Sequence, residues 1–263
     1  MPNYLTTNRA AWDDKVAVHL ETEMYDMAGF TSGNTSLISI ELERLGDLRG
    51  KRILHLQCHF GQDSISLARM GATVTGVDFS EVAVAQAKKM AAEEGASANF
   101  ICCDLYALPQ HLTEQFDIVF TSYGTIGWLP DLDKWAKVVS HFLRPNGKFI
   151  FVEFHPVVWM YDDKFTKIAY NYFNTGAIIE EYSGSYADLA APITHTYTMW
   201  NHALSEVFNS LISNDLTINQ FDEFDYSPYN CFQETVKIAP KKYQIAAFDN
   251  KIPMVYAIVA TKK

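Results

Sequence analysis

Short apolar runs alternate with amphipathic stretches through the first part of the chain. The apolar runs have the length of buried strands and predict strands at residues 51–58, 73–77, 99–103, 116–121 and 148–154. The stretches between them have helical spacing or helix-forming composition and predict helices at residues 62–70, 80–95 and 132–143. Strands separated by helices in this way predict an α/β fold with a doubly wound, mostly parallel sheet.

The pattern divides the chain into four regions. Residues 1–48 have helical patterns at 8–20 and 37–45 that we expect to cap a cleft above the core, which is formed by residues 49–155. Residues 156–202 lose helical periodicity, and twelve of the chain's 36 aromatic residues lie between Phe154 and Phe208, which predicts an inserted aromatic-rich lid or small subdomain. Residues 203–263 complete the sheet, with a helix predicted at 203–212 and strands at 216–225 and 254–260.

Composition and charge exclude several classes of partner. The formal net charge is −10, and Lys and Arg occur together only in short pairs, so binding to a nucleic-acid backbone is not expected. No apolar run approaches the roughly 18 residues of a membrane span, and the first thirty residues do not have a signal-peptide pattern. The four cysteines have no CxxC spacing. We expect a cytoplasmic protein with neither a nucleic-acid nor a membrane partner; its oligomeric state stays open.

Residues 55–63, HLQCHFGQD, follow the first predicted strand and allow two interpretations. In the first, His55, Gln57 and His59 alternate on a strand and share one face, as ligands of a metal would. Zinc needs three or four converging ligands, normally from more than one segment, and the other histidines are scattered. We therefore expect no metal, and metal-dependent hydrolysis is the weakest of the functional alternatives.

In the second interpretation, the same segment is a cofactor-binding loop between a strand and a helix. Gly61 opens the helix, whose free N–H groups attract the negative end of a ligand. Asp78 and Asp104 end the next two predicted strands, at the same edge of the sheet, where open α/β sheets bind nucleosides. Each residue also has a purely structural alternative, a turn glycine at Gly61 and local capping at the two aspartates. The shared register favours the cofactor site.

The loop lacks the G-x-G-x-x-G pattern that lets bare backbone approach a pyrophosphate. Gln57, His59 and Phe60 add bulk there, which a cofactor without phosphates tolerates better. The residues therefore favour S-adenosylmethionine over a nicotinamide dinucleotide.

Four segments resemble the successive motifs of class I S-adenosylmethionine-dependent methyltransferases: ILHLQCHFGQDSISLARMGATVTGVDFS, ICCDLYALP, FDIVFTSYGTIGWLPDLDKW and LRPNGKFIFVEFHP. The chain looks most similar to a bacterial subgroup of small-molecule methyltransferases that shares HLQCHFGQD. The resemblance implies a seven-stranded sheet whose last strand, near 254–260, is antiparallel. It also implies S-adenosylmethionine as cofactor, S-adenosylhomocysteine as product, and a small-molecule acceptor.

The resemblance assigns the cofactor contacts to particular positions. Residues of the loop (Gln57, His59 and Gly61) would contact the cofactor directly. Asp78 would bind the ribose, Phe79 would lie against the adenine, Asp104 and Leu105 would hold the adenine edge, and Ser122 would flank the methionine portion. In most of the family an acidic residue stands in place of His55, and glycines stand in place of Gln57 and His59.

Methyl transfer is an in-line displacement, which an enzyme promotes by orienting the reactants and excluding water. Glu153 and His155, at the end of the fifth predicted strand, are the candidate bases, with His202 a more distant one. Aromatic faces stabilise a sulfonium, and Tyr123, Trp128, Trp159 and Trp200 are candidates. The alternatives are a catalytically inactive S-adenosylmethionine- or S-adenosylhomocysteine-binding protein and a nicotinamide-dependent oxidoreductase.

Overall fold

A computed structural model describes residues 3–263. The helices are α1 (Tyr4–Leu20), α2 (Met27–Thr31), α3 (Ser39–Leu45), α4 (Gln62–Arg69), α5 (Glu81–Glu94), α6 (Leu132–Phe142) and α7 (Leu204–Ser213). The strands are β1 (Arg52–Leu56), β2 (Thr73–Asp78), β3 (Ala98–Cys102), β4 (Phe116–Ser122), β5 (Leu143–Phe154), β6 (Ile178–Ser183), β7 (Thr194–Met199), β8 (Leu216–Phe224), β9 (Thr235–Ala239), β10 (Lys242–Ile245) and β11 (Val255–Lys262). In residues 3–263 no helix is both long and apolar enough to cross a bilayer.

Seven strands form one sheet in the order β3-β2-β1-β4-β5-β11-β8. The first five pair in parallel, and β11 lies antiparallel between β5 and β8. This confirms the predicted mostly parallel, seven-stranded sheet with an antiparallel last strand. The carboxyl ends of β1, β2, β3 and β4 lie side by side, so the loops that follow them share one edge of the sheet.

Alternating side chains place helices on both faces of the sheet. Phe149 and Phe151 of β5 pack against Trp135 of α6, in a core that also includes α7. On the opposite face, Ile150 joins a core that includes Leu67 of α4 and residues of α3. The strands are therefore buried on both faces, which explains why each reads as an apolar run.

Several predicted element boundaries differ from those in the structure, two of them at loops that interrupt predicted patterns. β1 ends at Leu56 rather than at residue 58, because Gln57 turns into the left-handed backbone region with φ of 54°. Consequently His55, Gln57 and His59 do not lie on one strand face. β5 begins at Leu143 rather than at residue 148, and residues 144–147 form an irregularity in its pairing with β4, with Asn146 at φ of 62°.

Two antiparallel hairpins stand outside the main sheet. β6 and β7 form one within residues 156–202, which were predicted as a lid. β9 and β10 form the other, between β8 and β11, where only completion of the sheet was predicted. Both segments contribute to the walls of the same cavity, as described below.

Candidate active site

A cavity of about 810 Å³ opens at the carboxyl ends of β1, β4 and β5. Its floor is the loop after β1 and the start of α4, and the loop after β4 forms one side. The region around α2, the lid and the segment between β8 and β9 complete the walls. Such a position, at the carboxyl edge of an open parallel sheet, is typical of ligand sites in α/β folds.

The loop after β1 has three residues with positive φ, a backbone conformation that favours glycine, but only one of the three is a glycine. Gln57 and His59 have φ of 54° and 50°, and Gly61 has φ of 84°. A residue with a side chain in this region costs about 1–3 kcal/mol, so the surrounding structure must hold it there. Gln57 is held by a 2.8 Å hydrogen bond from its Nε2 to the carbonyl oxygen of Thr125. Gln57 and His59 therefore adopt the backbone conformation that favours glycine, although both have large side chains.

Gly61 caps α4 and packs tightly against its neighbours. A Cβ atom there would lie 2.8 Å from the Cβ of Ala87 and 2.8 Å from the ring of Phe100. We predict that Gly61→Ala lowers the free energy of unfolding by about 2–3 kcal/mol through positive φ and overpacking. Gly95→Ala is the matched control, because Gly95 has φ of 61° with no atom within 4 Å. Urea denaturation of both variants separates the packing cost from the backbone cost, and equal losses would contradict the prediction.

Asp78 ends β2 and is 8% exposed, lining the cavity beside the loop. Its Oδ2 accepts a 2.8 Å hydrogen bond from the backbone N–H of His59, and its Oδ1 accepts one of 2.9 Å from that of Ser80. Burial raises the pKa of Asp78 to about 6, against the opposing effect of these N–H donors. The carboxylate thus anchors the loop while retaining lone pairs for a ligand.

A second, smaller cavity of about 40 Å³ lies beside the first and is lined by Asp104 and Leu105. Asp104 is the N-cap residue of the helical turn that follows; burial raises the pKa of its carboxyl, against the opposing effect of the backbone N–H groups of Tyr106 and Leu105. Tyr4, Leu5 and Asn8 of α1 line this cavity from above. Phe79 and Asp78 lie between the two cavities and line both of them.

Three buried polar atoms near Asp78 have no hydrogen-bond partner: Nε1 of Trp12, Oε1 of Gln57 and Nδ1 of His59. All three residues line the large cavity, and the rings of Trp12 and His59 meet edge-on at 5.3 Å. Buried polar groups are nearly always hydrogen-bonded, so a donor and acceptors left without partners in a cavity indicate a polar ligand there. This supports a fit between these residues and a group rich in hydroxyls.

His59 is also linked to the lid through α1. Nδ1 of His19 lies 2.8 Å from Nε2 of His59, and Nε2 of His19 lies 2.6 Å from Oγ of Ser185. Burial lowers the pKa of His19 to about 3 and that of His59 well below its ordinary value. Both imidazoles are therefore neutral near pH 7, and the chain of hydrogen bonds joins the loop, α1 and the lid.

Lys15 is a buried cation among aromatic rings. Its ammonium lies 4.5 Å from the ring centre of Tyr197, 4.6 Å from that of Trp12 and 5.7 Å from that of Trp128. Burial lowers the pKa of Lys15 to about 8. Because these rings come from α1, from β7 and from the loop after β4, the cation–π contacts hold these three segments together.

Glu153 lines the large cavity, and its carboxylate holds the loop after β4. Its carboxylate accepts hydrogen bonds from the backbone N–H groups of Gly124, Thr125, Ile126 and Phe154 and from the Thr125 hydroxyl. Glu153 is 2% exposed, and burial raises its pKa in spite of these donors. A carboxylate engaged in this way is poorly suited to act as the base expected from the sequence.

The two histidine candidates also have other partners. His155 does not line the large cavity; its Nε2 lies 2.9 Å from Oε1 of Glu223. His202 lines the cavity, but its Nε2 lies 2.8 Å from the carbonyl oxygen of Leu129 and its Nδ1 lies 3.0 Å from Oε2 of Glu206. Tyr123 lines the cavity, and its buried hydroxyl lies next to the carboxyl group of Glu41.

A group of acidic and phenolic side chains lies next to Tyr123. Asp63 lines the cavity, and Ser122 Oγ donates to it at 3.4 Å. The pKa of Glu41 is raised to about 8, mainly by burial and also by the negative charge of the nearby Asp63. Burial and Glu41 raise the pKa of Tyr123 well above its ordinary value. The protonation of this group should therefore depend on what occupies the cavity.

The raised pKa of Glu41 predicts that stability falls as pH rises. The folded protein holds a proton that the unfolded chain releases, so the contribution is complete below pH 4.5 and is lost as pH rises through about 8. Glu41→Gln cannot ionise and should remove this part of the decline. Urea denaturation at pH 5, 7 and 9 tests this, and identical pH dependence in both proteins would refute it.

The four aromatic residues expected near a sulfonium (Tyr123, Trp128, Trp159 and Trp200) all line the cavity. Gln57, His59, Gly61, Asp78, Phe79 and Ser122 line it too, while Asp104 and Leu105 line the smaller one. Within residues 3–263 no three His, Cys, Asp or Glu side chains are grouped as metal ligands.

Sequence reasoning missed Trp12, Glu41 and Asp63. Asp63 had a detectable signal, because it stands in the first turn of the helix that follows the cofactor loop. Trp12 and Glu41 lie on helices that precede the core, and no spacing connects them to the strand ends. Only the packing of α1 and α3 over the sheet brings them to the site.

Comparison with known proteins agrees with this architecture. Residues 53–147 match the family model described as a methyltransferase domain. Ubiquinone biosynthesis O-methyltransferase of Coxiella burnetii is 34% identical over 110 residues, which are 42% of this chain and 46% of that protein. The same enzyme of Pseudomonas fluorescens is 33% identical over 109 residues, 41% of this chain and 46% of that protein. The alignments thus span less than half the length of these relatives.

Solved structures share the fold at low identity. A protein from Listeria monocytogenes, described as a putative S-adenosylmethionine-dependent methyltransferase, has a TM-score of 0.60 at 20% identity, covering 90% of this chain and all of that one. Geranyl diphosphate C-methyltransferase from Streptomyces coelicolor, solved with S-adenosyl-L-homocysteine, has a TM-score of 0.56 at 14% identity, covering 84% and 73% of the two chains. The chain therefore shares the fold of these methyltransferase structures.

Proposed function

We propose that this protein transfers a methyl group from S-adenosylmethionine to a small-molecule acceptor. The observation that carries the proposal is the common setting of Gly61, Asp78 and Asp104, which end adjacent strands or open the next helix around two neighbouring cavities. The methyltransferase-domain match over residues 53–147 supports it independently. The nicotinamide alternative finds less support, because Gln57 and His59 crowd the loop where a pyrophosphate needs bare backbone.

The ribose would lie against Asp78, with its hydroxyls donating to the carboxylate. Trp12 Nε1, Gln57 Oε1 and His59 Nδ1, which lack partners, are the other polar groups offered to this part of the ligand. A hydroxyl both donates and accepts, so the diol can satisfy a donor and several acceptors together. This accounts for polar atoms that would otherwise be costly to bury.

The adenine would enter the smaller cavity, between Phe79 and the Asp104–Leu105 corner. At about 40 Å³ that cavity holds only a few water molecules. Tyr4, Leu5 and Asn8 of α1 would therefore move outward when a purine binds. The predicted role of residues 1–48 as a cap over the cofactor fits this requirement.

The acceptor would bind in the wider part of the large cavity, against the aromatic lid. The bound cofactor supplies an electrophilic methyl group on a positively charged sulfur. Trp159, Trp200 and Phe232 line this part with apolar surface, which excludes water and favours a partly apolar acceptor. Tyr123 lines the cavity at the end of β4, and we propose that it orients the acceptor. Glu153 positions Tyr123 by fixing the loop that follows it.

The direct test is turnover with S-adenosylmethionine labelled in its methyl group, against a panel of small phenols, amines, thiols and carboxylic acids. We expect one class to gain the label, with equal formation of S-adenosylhomocysteine, and Asp78→Ala to abolish the transfer. Tight binding of S-adenosylhomocysteine without labelling of any acceptor in the panel would instead favour the catalytically inactive binding protein.

A further inference from the structure

A buried side chain of α1 that lines the smaller cavity also holds the end of β7. Asn8 is 2% exposed and lines that cavity. Its Nδ2 donates a 2.8 Å hydrogen bond to the carbonyl oxygen of Thr198, and its Oδ1 accepts one of 3.0 Å from the N–H of the same residue. The amide thus pairs with both backbone groups of Thr198, as a neighbouring antiparallel strand would. A displacement of α1 at Asn8 therefore acts on Thr198.

A second contact joins the same two segments one helical turn earlier in α1. Tyr4, which also lines the smaller cavity, packs edge-on against the ring of Trp200, with 5.1 Å between the ring centres and 83° between the ring planes. Met199 and Trp200 line the large cavity, where the acceptor is proposed to bind. Residues 198–200 therefore contact the wall of the smaller cavity and also form part of the wall of the large one.

A backbone hydrogen bond joins residues 198–200 to the loop after β4. The N–H of Trp200 donates to the carbonyl oxygen of Gly127 at 2.8 Å. Two residues further along the chain, the buried His202 has its Nε2 2.8 Å from the carbonyl oxygen of Leu129. A displacement of α1 therefore strains the hydrogen bond between Trp200 and Gly127, while His202 fixes the chain that follows.

We propose that Asn8 and Tyr4 are positioning residues that couple occupation of the smaller cavity to the position of Trp200 in the wall of the large cavity. The inference rests on the proposed function, in which adenine enters the smaller cavity. At about 40 Å³ that cavity is too small for a purine, so binding displaces the α1 side chains that line it. Because Asn8 and Tyr4 hold residues 198–200, Trp200 moves outward with them, and the wall that faces the acceptor changes when the nucleoside binds.

The consequence is a coupling free energy between the nucleoside and the acceptor. Moving Trp200 costs its hydrogen bond to Gly127, and binding of the nucleoside must supply that free energy. A molecule that binds the large cavity better when Trp200 is displaced then tightens binding of the nucleoside, and the nucleoside tightens its binding by the same factor. Substitution of Asn8 and Tyr4 should remove this coupling while leaving both cavities in place.

Backbone hydrogen exchange, measured residue by residue by NMR on the full chain, tests the coupling. The ligands are S-adenosylhomocysteine and adenosine, which lacks the amino-acid portion. In wild type, each bound ligand should speed exchange of the Trp200 N–H tenfold or more, because its hydrogen bond to Gly127 is lost. The N–H of Thr198 should stay protected, because Asn8 moves with it, and that of Val207 in α7 should not change. Unchanged or slower exchange at Trp200 would overturn the coupling, as would a response to S-adenosylhomocysteine without one to bound adenosine.

Variants of α1 separate this coupling from a merely structural role. With Asn8→Ala and Tyr4→Leu combined, S-adenosylhomocysteine should change the exchange rate of the Trp200 N–H by less than twofold. Asn8→Ala alone, which keeps the Tyr4 contact, should reduce the response at least threefold, so the test does not depend on the stability of the double variant.

Asp14→Ala is the matched control. Asp14 lines neither cavity, and its Oδ2 lies 3.0 Å from Nε2 of His195, so the change breaks a different contact between α1 and β7. This variant should keep the tenfold response of the Trp200 N–H. Loss of the response in Asp14→Ala, or its persistence in the double variant, would overturn the roles of Asn8 and Tyr4.

Calorimetry distinguishes failure of this inference from failure of the proposed function. Binding of S-adenosylhomocysteine without a response at Trp200 would remove the coupling and leave the proposed methyl transfer standing. Absence of binding by wild type would contradict both, because no purine would then enter the smaller cavity.

Discussion

Glu153→Gln is expected to lower the free energy of unfolding by about 3 kcal/mol or more. Four backbone N–H groups and one hydroxyl converge on the two oxygens of this buried carboxylate. An amide replaces one acceptor oxygen with an NH₂ group, which points donors at donors. The loop carrying Gly124, Thr125 and Ile126 would then lose its anchor, and chemical denaturation measures the loss directly.

The same variant distinguishes a positioning role from that of a base. Loss of a base would reduce turnover while leaving the unfolding transition in place, whereas loss of the anchor moves the transition. Glu93→Gln is the control, because Glu93 is exposed and lies 4.0 Å from Lys89. An unfolding free energy unchanged by Glu153→Gln would contradict the account and restore Glu153 as a candidate base.

Asp78→Ala is expected to weaken the binding of S-adenosylhomocysteine by about a hundredfold, since each charge-assisted hydrogen bond contributes about 1.5–3 kcal/mol. The change removes the acceptor proposed for the ribose hydroxyls. It also frees the backbone N–H of His59, which Asp78 holds at 2.8 Å, so the loop loses an anchor. Titration calorimetry provides the measurement.

The affinity of wild type should also depend on pH through Asp78. Its pKa in the free protein is raised to about 6, and hydroxyl donors favour the ionised form, so affinity should fall as pH drops below about 6. Asp249→Ala is the matched control, because Asp249 is exposed and pairs only with Lys251. Binding by Asp78→Ala within twofold of wild type would show that the nucleoside lies elsewhere.

Much of the sheet could be predicted because its strands are buried on both faces. Val74, Ile118 and Phe149 are among the apolar residues that make each strand read as a continuous run. Gly61 and Asp78 could then be placed at one site, because each follows or ends a strand and parallel strands end at the same edge of the sheet. The antiparallel last strand came from the family resemblance.

Other features depend on contacts that no local pattern encodes. The positive φ of Gln57 and His59 is held by tertiary hydrogen bonds, so a strand that reads as continuing to residue 58 stops at Leu56. The sequence identified Glu153 as a polar residue at a predicted strand end, but not that three N–H groups of the loop after β4 surround its carboxylate. The β9–β10 hairpin was missed because β9 is largely exposed and β10 is only four residues long, so neither strand has an apolar run.

The central claim, that the two neighbouring cavities at the carboxyl edge of the sheet bind S-adenosylmethionine, is tested most directly by titration calorimetry with S-adenosylhomocysteine. NADH serves as the control ligand, because it shares the adenosine but adds a pyrophosphate that the loop after β1 should reject. The account predicts micromolar binding of S-adenosylhomocysteine, about −8 kcal/mol, and none of NADH. Absence of binding at millimolar S-adenosylhomocysteine, or tighter binding of NADH, would contradict it.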